Sequence, residues 1–211
     1  MTNNTLSPHE DPTHQDAQLA AELKAATQGS GLQSSQRLGQ GLSNSLQDNG
    51  HVDISTEKRP SRERRILASV TIPKPIDQVW NVVTDYEHLA DFVPNLTSSK
   101  LIPNEEGRIR LEQIGAQCFL KFKFCARVVL DMTETFPNEV SFAMKEGDFK
   151  HFVGAWKLES AGDNQSTQLS YDLFVKPPLA MPAALIEHHI CNNLAANMLA
   201  IRTRAIEIAA A

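Results

Sequence analysis

The sequence predicts an α+β fold, in which a curved antiparallel sheet wraps around one long C-terminal helix and two short helices follow the first strand. Three observations predict it. Apolar residues recur with a period of two from Thr97 to Lys176. A helix of about 25 residues with one apolar stripe opens at Pro182. Between the first strand and the period-two stretch, the spacing of Ile76, Val79, Trp80 and Val83 is helical.

The elements follow in chain order. All 9 Phe, 2 Tyr and 2 Trp lie at residue 80 or later, and the first 60 residues are rich in Ser, Gln, Asn, Gly and Thr. Such a segment buries too little apolar surface to offset its backbone entropy. Residues 1–62 are therefore read as a disordered N-terminal tail and residues 63–211 as the folded domain. The run from Asp16 to Ala26 holds good helix formers but is too short to be a stable helix alone.

Arg65–Ile72 reads as the first strand, stopped by Pro73. Pro75 opens a helix with Asp77 in its first turn, where a carboxylate is favourable. A second short helix runs from Tyr86 to about Phe92 and ends before Pro94. Leu120, Phe122, Phe124, Ala126, Val128, Leu130 and Met132 then alternate with a largely polar set, which gives a long strand with one apolar face. Val140 to Met144, Phe152 to Leu158 and Leu169 to Val175 repeat the pattern, separated by turn residues at Pro137-Asn138, Gly147-Asp148 and Gly162-Asp163-Asn164. Short links between successive strands make an antiparallel meander. On the last helix Ile186, Ile190, Leu194, Ile201 and Ile208 form one stripe, with Asn193 and Asn197 in or beside it. A sheet with one apolar face buries it by curling around such a helix.

Composition excludes several classes. The net charge is −5 and no basic stripe is present, which argues against nucleic acid as a partner. The first residues lack the basic start and apolar run of a secretory signal, and no stretch approaches the roughly 20 apolar residues of a membrane span. Cys118, Cys125 and Cys191 have no metal spacing, and if Cys118 and Cys125 share a strand their odd separation puts them on opposite faces. They are expected to be reduced thiols in a cytoplasmic protein, peripheral to a membrane at most. No Gly-rich phosphate loop, nucleophile elbow or paired-carboxylate signature is present, so no catalytic residue is assigned.

The stretch Ile72-Pro73-Lys74-Pro75-Ile76-Asp77-Gln78-Val79-Trp80-Asn81-Val82-Val83-Thr84-Asp85-Tyr86-Glu87, followed by Phe92-Val93-Pro94, resembles the opening of the coenzyme Q-binding and polyketide cyclase/dehydrase branch of the START-like superfamily. Arg127-Val128-Val129-Leu130 and Gly154-Ala155-Trp156-Lys157-Leu158 sit in the strands that the resemblance expects. It covers roughly residues 64–208. It implies the helix-grip fold and a cavity between sheet and helix for a lipid, isoprenoid quinone or polycyclic compound. The shared residues are mostly structural, and one fold hosts many functions. From the residues alone, the inward Phe, Leu, Val and Trp side chains line a cavity or fill a solid core equally well.

On the cavity reading, Phe122, Phe124, Phe142, Trp156 and Tyr171 line it from the sheet, and Asn193 and Asn197 do so from the helix. A buried amide needs partners, which a ligand's polar head, the backbone or water would supply. Glu146 lies in the apolar phase near a turn and is expected to be solvated. His188 and His189 are adjacent, so they point about 100° apart, and His151 is out of phase with Phe152 and Trp156. No histidine set has zinc spacing, and no metal or cofactor is expected. Asp85 is read as a turn residue. Leu179 and Met181, in a loop among three prolines, together with Leu89, Phe92 and Val93, are expected to form one apolar rim. Such a rim would be a portal that touches a membrane surface transiently.

The function expected is non-catalytic binding or transport of an apolar small molecule. A cyclase or dehydrase acting on a polyketide-like substrate is the first alternative. An assembly or regulatory factor acting through its tail is the second.

Overall fold

The computed structural model describes residues 50–208 apart from 104–106, 120, 121 and 163, and the side chains of that range apart from 116–124. The expected disorder of residues 1–49 lies outside the described residues. Eight strands form one antiparallel sheet in the order β1-β2-β8-β7-β6-β5-β4-β3. They are β1 (Val52–Lys58), β2 (Arg64–Ile72), β3 (Leu96–Leu101), β4 (Ile109–Phe119), β5 (Phe122–Thr135), β6 (Glu139–Gly147), β7 (His151–Ser160) and β8 (Thr167–Lys176). Helices α1 (Ile76–Val83) and α2 (Leu89–Phe92) link β2 to β3, and α3 (Ala183–Ile208) closes the chain.

The strands from β3 to β8 are a meander, because each link is short and each strand pairs with its successor. β8 then lies beside β2, in register from Arg64↔Val175 to Ile72↔Thr167. The α1–α2 segment carries the chain from β2 to the far edge, where β3 starts the meander. Pro75 accepts backbone hydrogen bonds from Gln78 and Val79 at the start of α1, and Thr84 closes that helix on the Trp80 carbonyl through its N–H and its hydroxyl. Val79, Trp80, Val82 and Val83 are its buried face.

At 1.5 Å per residue α3 is about 39 Å long. Its buried stripe is Ile186, Leu194, Met198, Ile201 and Ala205, with Ile190 partly buried against the core. Ile208 differs from the expectation. It is 52% exposed, and Ala205, at 1%, is the last buried residue of the stripe. The core runs from β2, β8 and β7 to α1 and α3, with Ile66, Ile72, Leu158, Leu169, Val175 and Met198 almost free of solvent.

The sheet begins earlier than the sequence reading placed it. Residues 52–58, assigned to the tail, pair with β2 from Val52↔Val70 to Lys58↔Arg64. The reason is chemical. Val-Asp-Ile-Ser-Thr-Glu-Lys is an edge strand that needs apolar residues only where Val52 and Ile54 touch the core. Its remaining residues are solvated, so the segment reads like tail. A tight turn at Pro60–Arg62 returns the chain to β2, with Ser61 and Arg62 at φ 59° and 67°.

Candidate functional site

The concave face of the sheet does not close completely on α3. Between them lies a cavity of about 250 Å³. Its walls come from nearly every element. β4 gives Leu111, Gln113 and Gly115, β5 gives Leu130 and Met132, β7 gives Phe152 and Trp156, and α3 gives Ile190, Asn193, Leu194, Asn197 and Ile201. Leu89, Val93, Pro94 and Asn95 cover it from the α2 side, and Phe149 from the β6–β7 turn.

One wall is aromatic. The Phe142 ring stacks on Tyr171 at 5.7 Å between centroids, Trp156 lies 4.3 Å from Tyr171, and Phe152 sits 5.7 Å from Phe142. Gly154 makes this possible. A Cβ there would come within 2.7 Å of the Phe142 ring and 2.3 Å of the Asp172 carbonyl oxygen. The glycine lets the ring of one strand lie across the next strand and reach Tyr171.

Few polar groups face the cavity. Gln113 donates to Ser99 Oγ at 3.3 Å, and Ser99, 4% exposed, donates to the Tyr86 carbonyl at 2.5 Å. The Tyr86 hydroxyl donates to Glu134 Oε1 at 2.6 Å, and burial followed by that hydrogen bond holds the phenol above its ordinary range. In the orientation that satisfies its surroundings, the Asn197 amide donates to the carbonyl oxygens of Asn193, at 3.0 Å, and Pro94, at 3.1 Å. Asn197 therefore ties α3 to the end of the α2 segment. Tyr171 is buried, burial raises its pKa, and among the described residues its hydroxyl has no hydrogen-bond partner. No Asp, Glu, His, Lys or Arg is among the described lining residues.

Of the residues singled out in the sequence, the structure brings Phe142, Trp156, Tyr171, Asn193 and Asn197 together around the cavity, with Leu89 and Val93 at its α2 side. Phe122 and Phe124 lie in β5, but their side chains are outside the described residues. The expected single rim does not form. Phe92 packs under the Arg204 guanidinium, 5.8 Å from the ring centroid, near the C-terminal end of α3. Leu179, 84% exposed, and Met181 lie at the N-terminal end of α3, where Arg62 donates to the carbonyl oxygens of both. From Ala183 to Arg204 the helix spans about 30 Å, so Phe92 lies far from Leu179 and Met181, while Leu89 and Val93 face the cavity.

Gln113, Phe149 and Asn95 were not singled out. Gln113 shares the inward phase of Leu111 and Gly115, so a polar residue in an apolar alternation was the available signal. Glu146 is 71% exposed beside Arg127, at 3.6 Å, because a β-bulge after Val129 shifts the phase of β6. His151 pairs with Glu63 at 2.8 Å outside the cavity, and Asp85 sits in a turn against His88 at 2.7 Å, which raises the His88 pKa. Burial, then His188, lowers that of His189. No group of His, Cys, Asp and Glu among the described residues has metal-site geometry. No helix among them is long and apolar enough to cross a membrane.

Comparison with known proteins places this geometry. Residues 72–199 match the family model described as polyketide cyclase / dehydrase and lipid transport. No curated protein matches the chain by sequence. A START superfamily protein from Mycobacterium smegmatis is similar in structure at 16% identity and a TM-score of 0.58, over 68% of this chain and 98% of that one. The Zhui aromatase/cyclase from Streptomyces sp. R1128 aligns at 18% identity and 0.56, over 68% and 93%. A STAR-related lipid transfer protein from Xanthomonas axonopodis aligns at 11% and 0.58, over 78% and 97%. At such identities the likeness concerns the fold, a helix-grip of the START-like kind.

Proposed function

The chain belongs to the polyketide cyclase/dehydrase and lipid transport family, and from that premise we propose that it binds a compact apolar molecule between sheet and α3 without transforming it. The observation that carries this reading is the chemistry of the cavity lining. Apolar and aromatic side chains make most of it, with a few placed polar groups, the usual make-up of a small-molecule pocket. General acid–base catalysis works best with a group whose pKa lies near the operating pH. The titratable groups among the described lining residues are two tyrosines, both held above their ordinary range.

Size restricts the occupant. A cavity of about 250 Å³ lies just under the roughly 300–1,000 Å³ of drug-sized ligand pockets. A ring system or a short chain fits, whereas a full isoprenoid tail would extend outside. On this reading an isoprenoid quinone would place its head group inside, and a membrane surface would be the natural donor of such cargo.

The cyclase/dehydrase reading has one observation in its favour, the Tyr86–Glu134 pair at 2.6 Å beside the cavity. The raised phenol pKa makes it a weak acid at neutral pH, which favours binding over chemistry. Organic extraction of the purified full chain, followed by mass spectrometry, separates the two readings. Binding alone predicts a compact apolar compound that is unchanged after reincubation with the protein. A compound that loses water on reincubation would establish the cyclase/dehydrase reading instead.

A further inference from the structure

The aromatic wall contains a polar atom that the described residues leave unsatisfied. Tyr171 is 9% exposed and lines the cavity, and among the described residues its hydroxyl meets no protein acceptor or donor. An unmet buried polar group is destabilising, and native proteins rarely leave a donor in that state. Tyr86 lines the same cavity and shows the contrast, since its hydroxyl is engaged by Glu134. The Tyr171 ring is also fixed, stacked on Phe142 at 5.7 Å and held against Trp156 at 4.3 Å. The hydroxyl is thus a preorganised donor on a rigid support, and the ring it belongs to is stacked on Phe142 and tilted 46° against Trp156 in one aromatic wall. Burial raises its pKa, so the proton stays on the oxygen at neutral pH.

We propose that Tyr171 is the specificity-determining residue of the cavity, and that the ligand is a carbonyl-bearing ring compound whose oxygen accepts the Tyr171 hydrogen bond while its ring packs against the Phe142–Trp156 wall. This rests on the binding reading above and adds the chemical class of the ligand. A hydrocarbon of the same shape gains the apolar contacts but leaves the hydroxyl unmet. A matching site discriminates strongly against an analogue that lacks the polar group, because the protein's own group is then left unpaired. Asn193, across the cavity on α3, has a carboxamide with no protein partner among the described residues and is placed to meet a second polar atom.

Two bicyclic probes of nearly equal size test the proposal, 1-tetralone, which carries a ring ketone, and tetralin, which does not. Their dissociation constants are measured by equilibrium dialysis on the full chain and on Tyr171→Phe, with the melting temperature of each recorded. The expected result is that wild type binds the ketone about tenfold more tightly than the hydrocarbon. In Tyr171→Phe the ketone weakens about tenfold, the hydrocarbon is unchanged and the preference disappears. Equal binding of the two probes by wild type overturns the Tyr171 proposal and leaves the cavity reading standing. Equal weakening of both probes in the variant also overturns it, since that marks a packing role. If neither probe binds wild type, the cavity reading fails and this proposal fails with it. Should Tyr171→Phe not fold, the wild-type preference decides alone.

Discussion

Three residues in or beside the cavity show how position outweighs residue type. Tyr171 and Asn197 are both polar and inward, yet only the Asn197 amide is satisfied by the backbone, at Asn193 and Pro94. Asn197→Leu should therefore lower stability by about 0.5–1.5 kcal/mol, the net worth of a hydrogen bond whose acceptors, the half-buried Asn193 and exposed Pro94 carbonyls, can turn to water. Chemical denaturation measures that loss, and a fall in ligand affinity without it would return Asn197 to the role of a head-group contact. Gly154 contributes by what it lacks. Gly154→Ala should cost about 1–3 kcal/mol through overpacking against Phe142 and the Asp172 carbonyl, and should weaken probe binding by displacing the Phe142 ring. Thermal melts and dialysis together check this. Gly154 stood in the inward phase of its strand in the sequence, but the partner ring that explains it comes from β6, a separate strand.

At the scale of elements, β1 and β2 are joined to α3 at one carboxylate, Glu187. Arg64 Nε donates to Glu187 at 2.6 Å, and Thr56 of β1 donates to the same carboxylate at 2.7 Å. Burial acts to raise the Glu187 pKa, but the hydrogen bonds from Thr56 and Arg64 and the nearby Arg64 and Lys58 charges outweigh it, so the value is held below the ordinary 4.5. A depressed carboxylate stabilises the fold fully above its unfolded pKa and loses that contribution as pH falls through the folded pKa. Glu187→Gln should accordingly destabilise by about 1.5–3 kcal/mol at pH 7, and the difference from wild type should shrink progressively below pH of about 4.5. Denaturant titrations between pH 7 and pH 3 test this, and a difference independent of pH would refute it. The loop before α3 makes a second prediction. Because Leu179 is 84% exposed while Arg62 anchors the backbone around it, Leu179→Asp should leave the melting temperature unchanged. If this loop touches a membrane, the same variant should bind anionic vesicles less well in a flotation assay.

For the whole molecule, the testable quantity is where the folded unit begins. A chain starting at residue 50 keeps β1 and should melt within a few degrees of the full protein. A chain starting at residue 60 loses the register from Val52↔Val70 to Lys58↔Arg64 and the cover that Val52 and Ile54 give the core. At this size 1 kcal/mol shifts the melting temperature by about 2–4 °C, so a drop of more than about 5 °C is expected for the shorter chain. Equal melting of the two would make β1 an accessory to the fold.

The sequence by itself determined the sheet, its antiparallel order from the long strand onward and the C-terminal helix. Those depend on local periodicity, and periods of 2 and 3.6 are written along the chain. It also placed Phe142, Trp156 and Tyr171 on the sheet face that turns to the helix, and Asn193 in or beside the apolar stripe of the helix. Only the tertiary structure decided the rest. β1 belongs to the sheet because a neighbouring strand supplies most of its partners, so its own residues carry almost no apolar signal. Asn197 meets the Pro94 carbonyl, which arrives from about 100 residues away in sequence, whereas among the described residues no partner arrives at the Tyr171 hydroxyl. The rim does not form because about 30 Å of helix separates Phe92 from Leu179 and Met181, while Leu89 and Val93 face the cavity. Periodicity gives the face on which a side chain lies; which groups meet across the fold is set by how the sheet closes on α3.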